Sequence, residues 1–239
     1  MHPPLSAAGN LLLEALGPAD RAAVDRRLTP VDLPTGMDLY VPGQRMTHAW
    51  FPVAGIVSMV SELEEGTVEV GTLGREGMYG LPLLLGATET TARAFMQVPG
   101  RGFCMEAHAL QASIAEAPAF GALLYRYAQA LFEQVSQSVA CNRLHSLEER
   151  CARWLLMVHD SAGEEVLPLK QSFLAEMLGV HRPAVTIAAG ALQTAGLIRY
   201  SRGRVQVLDR AGLEDAACPC YGIVRDGFER MRGLNPDTK

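Results

Sequence analysis

Arg199, Arg202 and Arg204 crowd the run "RYSRGR", and Lys170, His181 and Arg182 lie shortly before it. Guanidinium and ammonium groups gathered on one short segment suit charge-assisted hydrogen bonds to phosphate oxygens. The rest of the chain has the opposite sign. Its 239 residues carry a formal net charge of −5. Residues 1–160 hold eleven Lys/Arg against seventeen Asp/Glu, whereas residues 170–210 hold six against two. A basic surface on an acidic body points to a nucleic-acid-facing module on a larger protein.

Two helices and a hairpin must position these cations. Gln171–Leu178 places Phe173, Leu174, Met177 and Leu178 on one apolar side, and Gly179 ends it. A second helix starts near His181–Arg182 and runs to about Ala195, with Pro183 in its first turn. Ala175, four residues before Gly179, lets the helices cross closely, and Val185, six after it, fills the gap. That spacing is the one of a helix-turn-helix, whose second helix lies in the DNA major groove. In "GLIRYSRGRVQVL", Ile198, Tyr200, Val205 and Val207 alternate around "SRG", which predicts a β-hairpin with glycine in its turn. Its arginines can reach phosphates, as a wing would. Arg199, Arg202 and Arg204 are therefore candidate DNA contacts.

Upstream, Asn10–Leu28 reads as helical. Pro30 to about Met105 holds short β-rich runs ("DLYV", "HAWFPV", "IVSMVSEL", "TVEVGTL", "RAFMQV") between Pro/Gly turns, the texture of an all-β sandwich or roll. After Pro118, Phe120, Leu124, Tyr127, Leu131, Val135 and Val139 recur at steps of three or four, which predicts one long amphipathic helix. A narrow stripe of this kind suits either a helix of a second subunit or the chain's own core, and the pattern alone leaves both open. Ser146 and Glu149 form an S-x-x-E capping box at the head of the next helix. Past Leu213 the sequence is weakly patterned, with a short helix expected at Tyr221–Met231.

Other chemistries find less support. No paired acid and base, nucleophile elbow or metal triad stands out, so an enzyme is not expected. The five cysteines are scattered and odd in number, which argues against a disulfide framework and for a reducing compartment. None precedes Cys104, and an iron–sulfur centre would need a cysteine cluster. Cys218-Pro-Cys220 sets two thiols close enough to share a metal, but two thiolates without a local histidine do not complete a site, and no metal is expected. His48, His108, Cys104 and Cys141 stand in no haem motif. Gly71, Gly74, Gly77 and Gly80 recur every third residue, yet lack the Lys-Ser/Thr of a phosphate loop and read as tight turns. No apolar run approaches ~18 residues and the first residues do not read as a secretory signal, so a cytoplasmic protein without membrane contact is expected.

Nearly the whole chain resembles the Crp/Fnr family of bacterial transcription regulators. "LPLKQSFLAEMLGVHRPAVTIAAGALQTAGLIRYSRGRVQVLDRAGLE" is similar to the family's winged domain; "LPTGMDLYVPGQRMTHAWFPVAGIVSMV" and "GTLGREGMYGLPLLLG" resemble its β-roll of cyclic-nucleotide-binding type. The resemblance implies an α+β protein. A jelly-roll-like sensor domain would occupy residues 1–117, a long dimerisation helix 118–145, a winged helix-turn-helix 146–213, and a C-terminal tail 214–239. It also implies a homodimer on a near-palindromic operator, with Leu124, Tyr127, Leu131, Val135 and Val139 in the dimer seam. Double-stranded DNA, RNA polymerase and an unknown small-molecule effector are the implied partners. In the family's recognition helix an Arg-Glu pair and a later Arg read bases. Here Arg182 matches the first Arg, but Pro183 and Ile187 replace the others, so the family's best-known operator is not carried over. The resemblance also implies DNA contacts at Lys170 and Gln171, where family members touch the backbone, at His181 on the helix start and at Thr186. In its nucleotide binders a Gly-Glu pair and a later Arg-Ser/Thr pair hold the ribose and the cyclic phosphate. Here Gly80-Leu81 and Thr91-Ala92 stand at those places, with Arg93 two residues late, so cyclic AMP is not expected to bind in the usual way. The alternative from another class is a ligand-binding or protein-interaction module that has lost sequence-specific DNA binding.

Overall fold

The computed structural model describes residues 9–64, 66–162 and 165–233. Residues 1–8 of the expected sensor domain and 234–239 of the expected tail lie outside the described residues. Two short helices, α1 (Leu11–Glu14) and α2 (Pro18–Asp25), come first. Buried Asn10 caps α1 by accepting from the Leu13 N–H, and its amide donates to the Pro52 and Gly77 carbonyls, tying the helix to the sheet. Five strands follow: β1 (Thr29–Leu33), β2 (Asp38–Tyr40), β3 (His48–Leu63), β4 (Gly66–Leu73) and β5 (Arg93–Glu106), with the one-turn helix α3 (Leu81–Leu84) before the last. They form one antiparallel sheet in the order β1-β5-β3-β4, and β2 also pairs with β5. β3 and β5 bend together where their register slips between Pro52 and Ile56. At this bend Gly55 has φ of 87°, and a Cβ on Gly100 would lie 2.0 Å from the Ala54 carbonyl oxygen, so side chains are excluded. The folded-over sheet encloses Tyr40, Phe51, Leu73, Met96 and Phe103. This is the expected roll.

α4 (Ala107–Glu116) leads into α5 (Pro118–Leu144), whose 27 residues span about 40 Å. α5 buries Phe120, Leu123, Leu124, Tyr127 and Ala130 against the roll and its flanking helices. α6 (Leu147–Ala162) then starts at the expected capping box: Glu149 Oε2 accepts from the Ser146 N–H at 2.8 Å. The C-terminal part comprises β6 (Val166–Leu167), α7 (Gln171–Met177), α8 (Arg182–Thr194), β7 (Ile198–Ser201), β8 (Arg204–Val207), α9 (Arg210–Ala216) and α10 (Cys220–Met231), with β6-β8-β7 as a small sheet. The chain is thus an α+β protein with an N-terminal sheet domain, a long helix and a C-terminal winged helix-turn-helix.

Two features depart from the sequence expectation. The short helix expected at Tyr221–Met231 is present as α10, but it is no loose tail: it packs along α5 and delivers Val224, Phe228 and Met231 into the N-terminal core. Phe228 meets Tyr127 at a ring-centroid separation of 6.2 Å. The roll also shares a second core with the C-terminal part: Ile56, Val60 and Val98 pack with Trp154, Leu155, Met177 and Leu178. A polar knot lies in that junction. Glu69 accepts from Trp154 Nε1 and from the Ser58 hydroxyl, each at 2.7 Å. Among the described residues, no helix is long and apolar enough to cross a membrane.

Candidate nucleic-acid interface

α7 and α8 meet at Gly179, whose φ of 64° supplies the left-handed residue of the turn. The Val180 N–H closes it on the Ala175 carbonyl at 2.9 Å, and Ala175 and Val185 are both buried where the helices cross. α8 buries Val185, Ala188, Ala189 and Leu192 on its inner face. Its outer face presents Arg182, Pro183, Thr186, Ile187 and Gly190. Ile187 is 75% exposed, which no folding requirement explains. His181 is the N-cap; its side chain makes no capping bond and stands exposed at the helix start.

Beside this face runs a groove of 430 Å³ lined by Lys170, Gln171, Arg182, Tyr200, Arg202 and their neighbours. Four of the eight candidate contacts therefore converge on one cleft. Thr186 adjoins it: its hydroxyl lies 2.9 Å from Gln171 Oε1 and 3.1 Å from the Arg182 carbonyl oxygen. The hairpin splits the wing arginines. Ser201 pairs with Arg204 around a tip at which Arg202 has φ of 50° and Gly203 of 73°, the signature of a type I′ turn. A left-handed arginine costs about 1 kcal/mol or more, yet the turn holds Arg202 over the groove. Alternation along β7 turns Tyr200 inward, where its hydroxyl donates to the Leu169 carbonyl at 2.8 Å, and turns Arg199 outward beside Gln206. Arg199 and Arg204 thus occupy the outer face of the wing. Ser172 and Tyr200 line the groove without having been singled out. Alternation around the hairpin places Tyr200 opposite to Arg199, and that was the available signal. The ion pairs of the described residues gather elsewhere, on Arg93, Arg210 and Arg225 among others.

The four pocket candidates lie around the head of α3 and the start of β5. Gly80 takes φ of 135° at the head of α3, Leu81 is half-buried against the core, and Leu83 is buried beneath. Thr91 is exposed. Arg93 is committed to surface carboxylates: its Nε lies 2.7 Å from Asp38 and its Nη1 3.2 Å from Glu62, with the guanidinium 4.8 Å over the Phe95 ring. A larger cavity of 580 Å³ lies instead where roll, α5, α6 and α10 meet, lined by Thr72, Glu76, Gln134, Asp160, Arg210 and Tyr221 among others. Its polar wall is prearranged. Arg210 donates to Asp160 at 2.6 Å and to Glu214 at 2.8 Å, and the Tyr221 hydroxyl donates to Asp160 at 2.7 Å.

The dimer seam also needs correction. Leu124 and Tyr127 are fully buried inside their own chain, where the Tyr127 hydroxyl donates to the Met78 carbonyl at 2.9 Å, and Leu131 packs on the same core. Leu124 and Tyr127 thus spend their apolar surface inside their own chain, and Leu131 is half-buried there. Val135 is half-buried and Val139 is 69% exposed. α5 is apolar on two sides, and the free side is Tyr125, Phe132 and Val139, spaced by seven residues and 58%, 68% and 69% exposed. The view of Cys218 and Cys220 as a pair without a histidine is overturned as well. α5 brings Cys141 and His145 to them, and the four ligand atoms lie within 4.8 Å of one another.

Residues 149–216 match the family of Crp-like helix-turn-helix domains. Over 206 residues, covering 83% of this chain and 92% of the relative, the sequence is 23% identical to the CRP-like cAMP-activated global transcriptional regulator of Mycobacterium tuberculosis. Among solved structures, FixK2 from Bradyrhizobium japonicum superposes with a TM-score of 0.68 at 14% identity, over 80% of this chain and 98% of its own. A CRP-family transcriptional regulator from Thermus thermophilus gives 0.65 at 20% identity, over 78% and 96%.

Proposed function

We propose that this chain, a transcription regulator of the Crp/Fnr family, works as a homodimer that lays one α8 into the major groove at each half of a near-palindromic operator. The observation that carries this reading is the groove that gathers Lys170, Gln171, Arg182 and Arg202 beside the exposed face of α8. Phosphates would run along that groove, and contacts of this kind set orientation and affinity without reading sequence. Base readout falls to the outer face of α8. Arg182 can donate two hydrogen bonds to a guanine edge, and Ile187 offers an apolar contact suited to a thymine methyl. Pro183 has no N–H to offer and stiffens the first turn, so recognition differs from that of a helix carrying a carboxylate there. The exposed stripe Tyr125, Phe132 and Val139 supports pairing of α5 with its copy in a second subunit. The roll would act as the sensing half through the core it shares with α6 and α7, and RNA polymerase and a small-molecule effector are partners in this scheme. Catalysis has no part in it.

Genomic fragments captured by the chain and sequenced would give the operator, and mobility shifts across a salt series then test the contacts. Arg202→Ala with Arg204→Ala should weaken binding to every sequence and flatten the salt dependence by about one unit of slope per lost contact. Ile187→Ala should change the preferred sequence and leave the slope alone. Unchanged affinity and slope in the double variant would remove the wing from the interface. No captured fragments at all would favour a module that has lost DNA binding.

A further inference from the structure

Cys141 and His145 stand one turn apart at the end of α5, on the same face of the helix. Cys218 and Cys220 come from the turn that opens α10, with Cys218 77 residues beyond Cys141. The Cys141 and Cys218 sulfurs are 3.4 Å apart, Cys220 Sγ is 3.5 Å from His145 Nδ1, and all four ligand atoms fall within 4.8 Å of one another. Around a zinc ion with the usual bond lengths, tetrahedral geometry sets sulfurs ~3.8 Å apart and a sulfur ~3.5 Å from the imidazole nitrogen. We propose that these four residues form a mononuclear Cys3His zinc site that clamps the end of α5 to the start of α10.

Three buried cysteines can also pack simply as small apolar side chains. The surroundings argue otherwise. Gln137 Nε2 donates to Cys220 Sγ at 3.1 Å, the kind of outer hydrogen bond that steadies a metal-bound thiolate. Arg153 is only 7% exposed, and its Nε and Nη1, with Nε of neighbouring Arg150, are buried without a hydrogen-bond acceptor. Buried cations of this kind need a negative partner. Three thiolates around a divalent ion leave one net negative charge, and Arg153 reaches toward it, its Nη2 donating to the Ser138 hydroxyl at 3.2 Å one turn before Cys141 on α5. Ligand chemistry also narrows the metal. Sulfur-rich sites with one imidazole suit zinc, and four ligand atoms within 4.8 Å of one another suit a single tetrahedral ion, whereas the several irons of an iron–sulfur cluster spread their ligands farther apart.

The position gives the clamp a consequence. His145 is the C-cap of α5, and Ser146 opens the capping box of α6. The metal would therefore hold the joint between the long helix and the helix-turn-helix, and it does so whether or not the chain reads DNA.

Elemental analysis of the full-length chain, purified without chelator, tests the site. The expected content is about one zinc per chain. It should fall below half in Cys220→Ser and in His145→Ala and stay unchanged in Cys104→Ser. Should those variants fail to fold, the unmodified chain still decides: cobalt added to the chelator-stripped protein should give thiolate charge-transfer bands and tetrahedral d–d bands that one equivalent of zinc erases. A folded chain that takes up neither metal overturns the proposal. So does a Cys141–Cys218 disulfide found by mass spectrometry in the protein as purified, or iron with acid-labile sulfide.

Discussion

Phe132→Ala separates the two apolar sides of α5. Phe132 is 68% exposed in the single chain, so truncating it removes little from that chain's own core. In a two-fold dimer each interface residue appears twice. Burying a phenylalanine contributes about 2 kcal/mol, so the two copies contribute about 4 kcal/mol, which is roughly a thousandfold in the dimer dissociation constant. Leu131 is the internal control. It lies next in sequence but packs on the roll's core, so Leu131→Ala should lower the melting temperature, at about 2–3 kcal/mol, and leave association alone. Sedimentation velocity over a nanomolar-to-micromolar dilution series reads the first effect, and thermal denaturation of the dilute monomer reads the second. If Phe132→Ala dimerises as tightly as the unmodified chain while Leu131→Ala dissociates, the assignment of the two faces is wrong.

Burial lifts the Glu69 carboxyl from 4.5 to about 7, against the opposing hydrogen bonds of Ser58 and Trp154 and the charge of Arg153. The folded chain therefore keeps a proton that the unfolded chain has lost, so stability falls as pH rises from about 4.5 through about 7, by no more than roughly 3 kcal/mol. Glu69→Gln should remove that fall, seen as a melting-temperature difference between the two chains that changes across this pH range; parallel curves would refute it. Cyclic AMP should give no heat by titration calorimetry and no thermal shift, because Arg93 is held by Asp38 and Glu62 and Leu81 cannot accept from a ribose hydroxyl. Micromolar binding would refute this and make Arg93 the first residue to change.

The reading head was legible because its signals are local. Ala175, Gly179 and Val185 lie within eleven residues, and "SRGR" carries both the turn and its charge. The roll was legible from its turns. What escaped depends on residues far apart in the chain. Leu131 and Phe132 are both apolar and adjacent, and only the packing partner tells which side each serves. Cys141 and Cys218 are brought together by the return of α10 along α5, which no local spacing encodes. Arg93 looked available two residues from its expected place, since strand alternation keeps the face; Asp38 on a neighbouring strand decides its engagement.

The return of α10 also shapes how the chain is made. Val224, Phe228 and Met231 complete a core whose first members are Leu12 and Leu13. During synthesis the roll and α5 emerge well before residues 220–231, so the N-terminal part must wait with an apolar groove open along α5. Contacts of such long sequence separation close slowly. A ribosome-stalled chain ending near residue 213 should be protease-sensitive throughout the roll, although every strand of that domain has already left the exit tunnel.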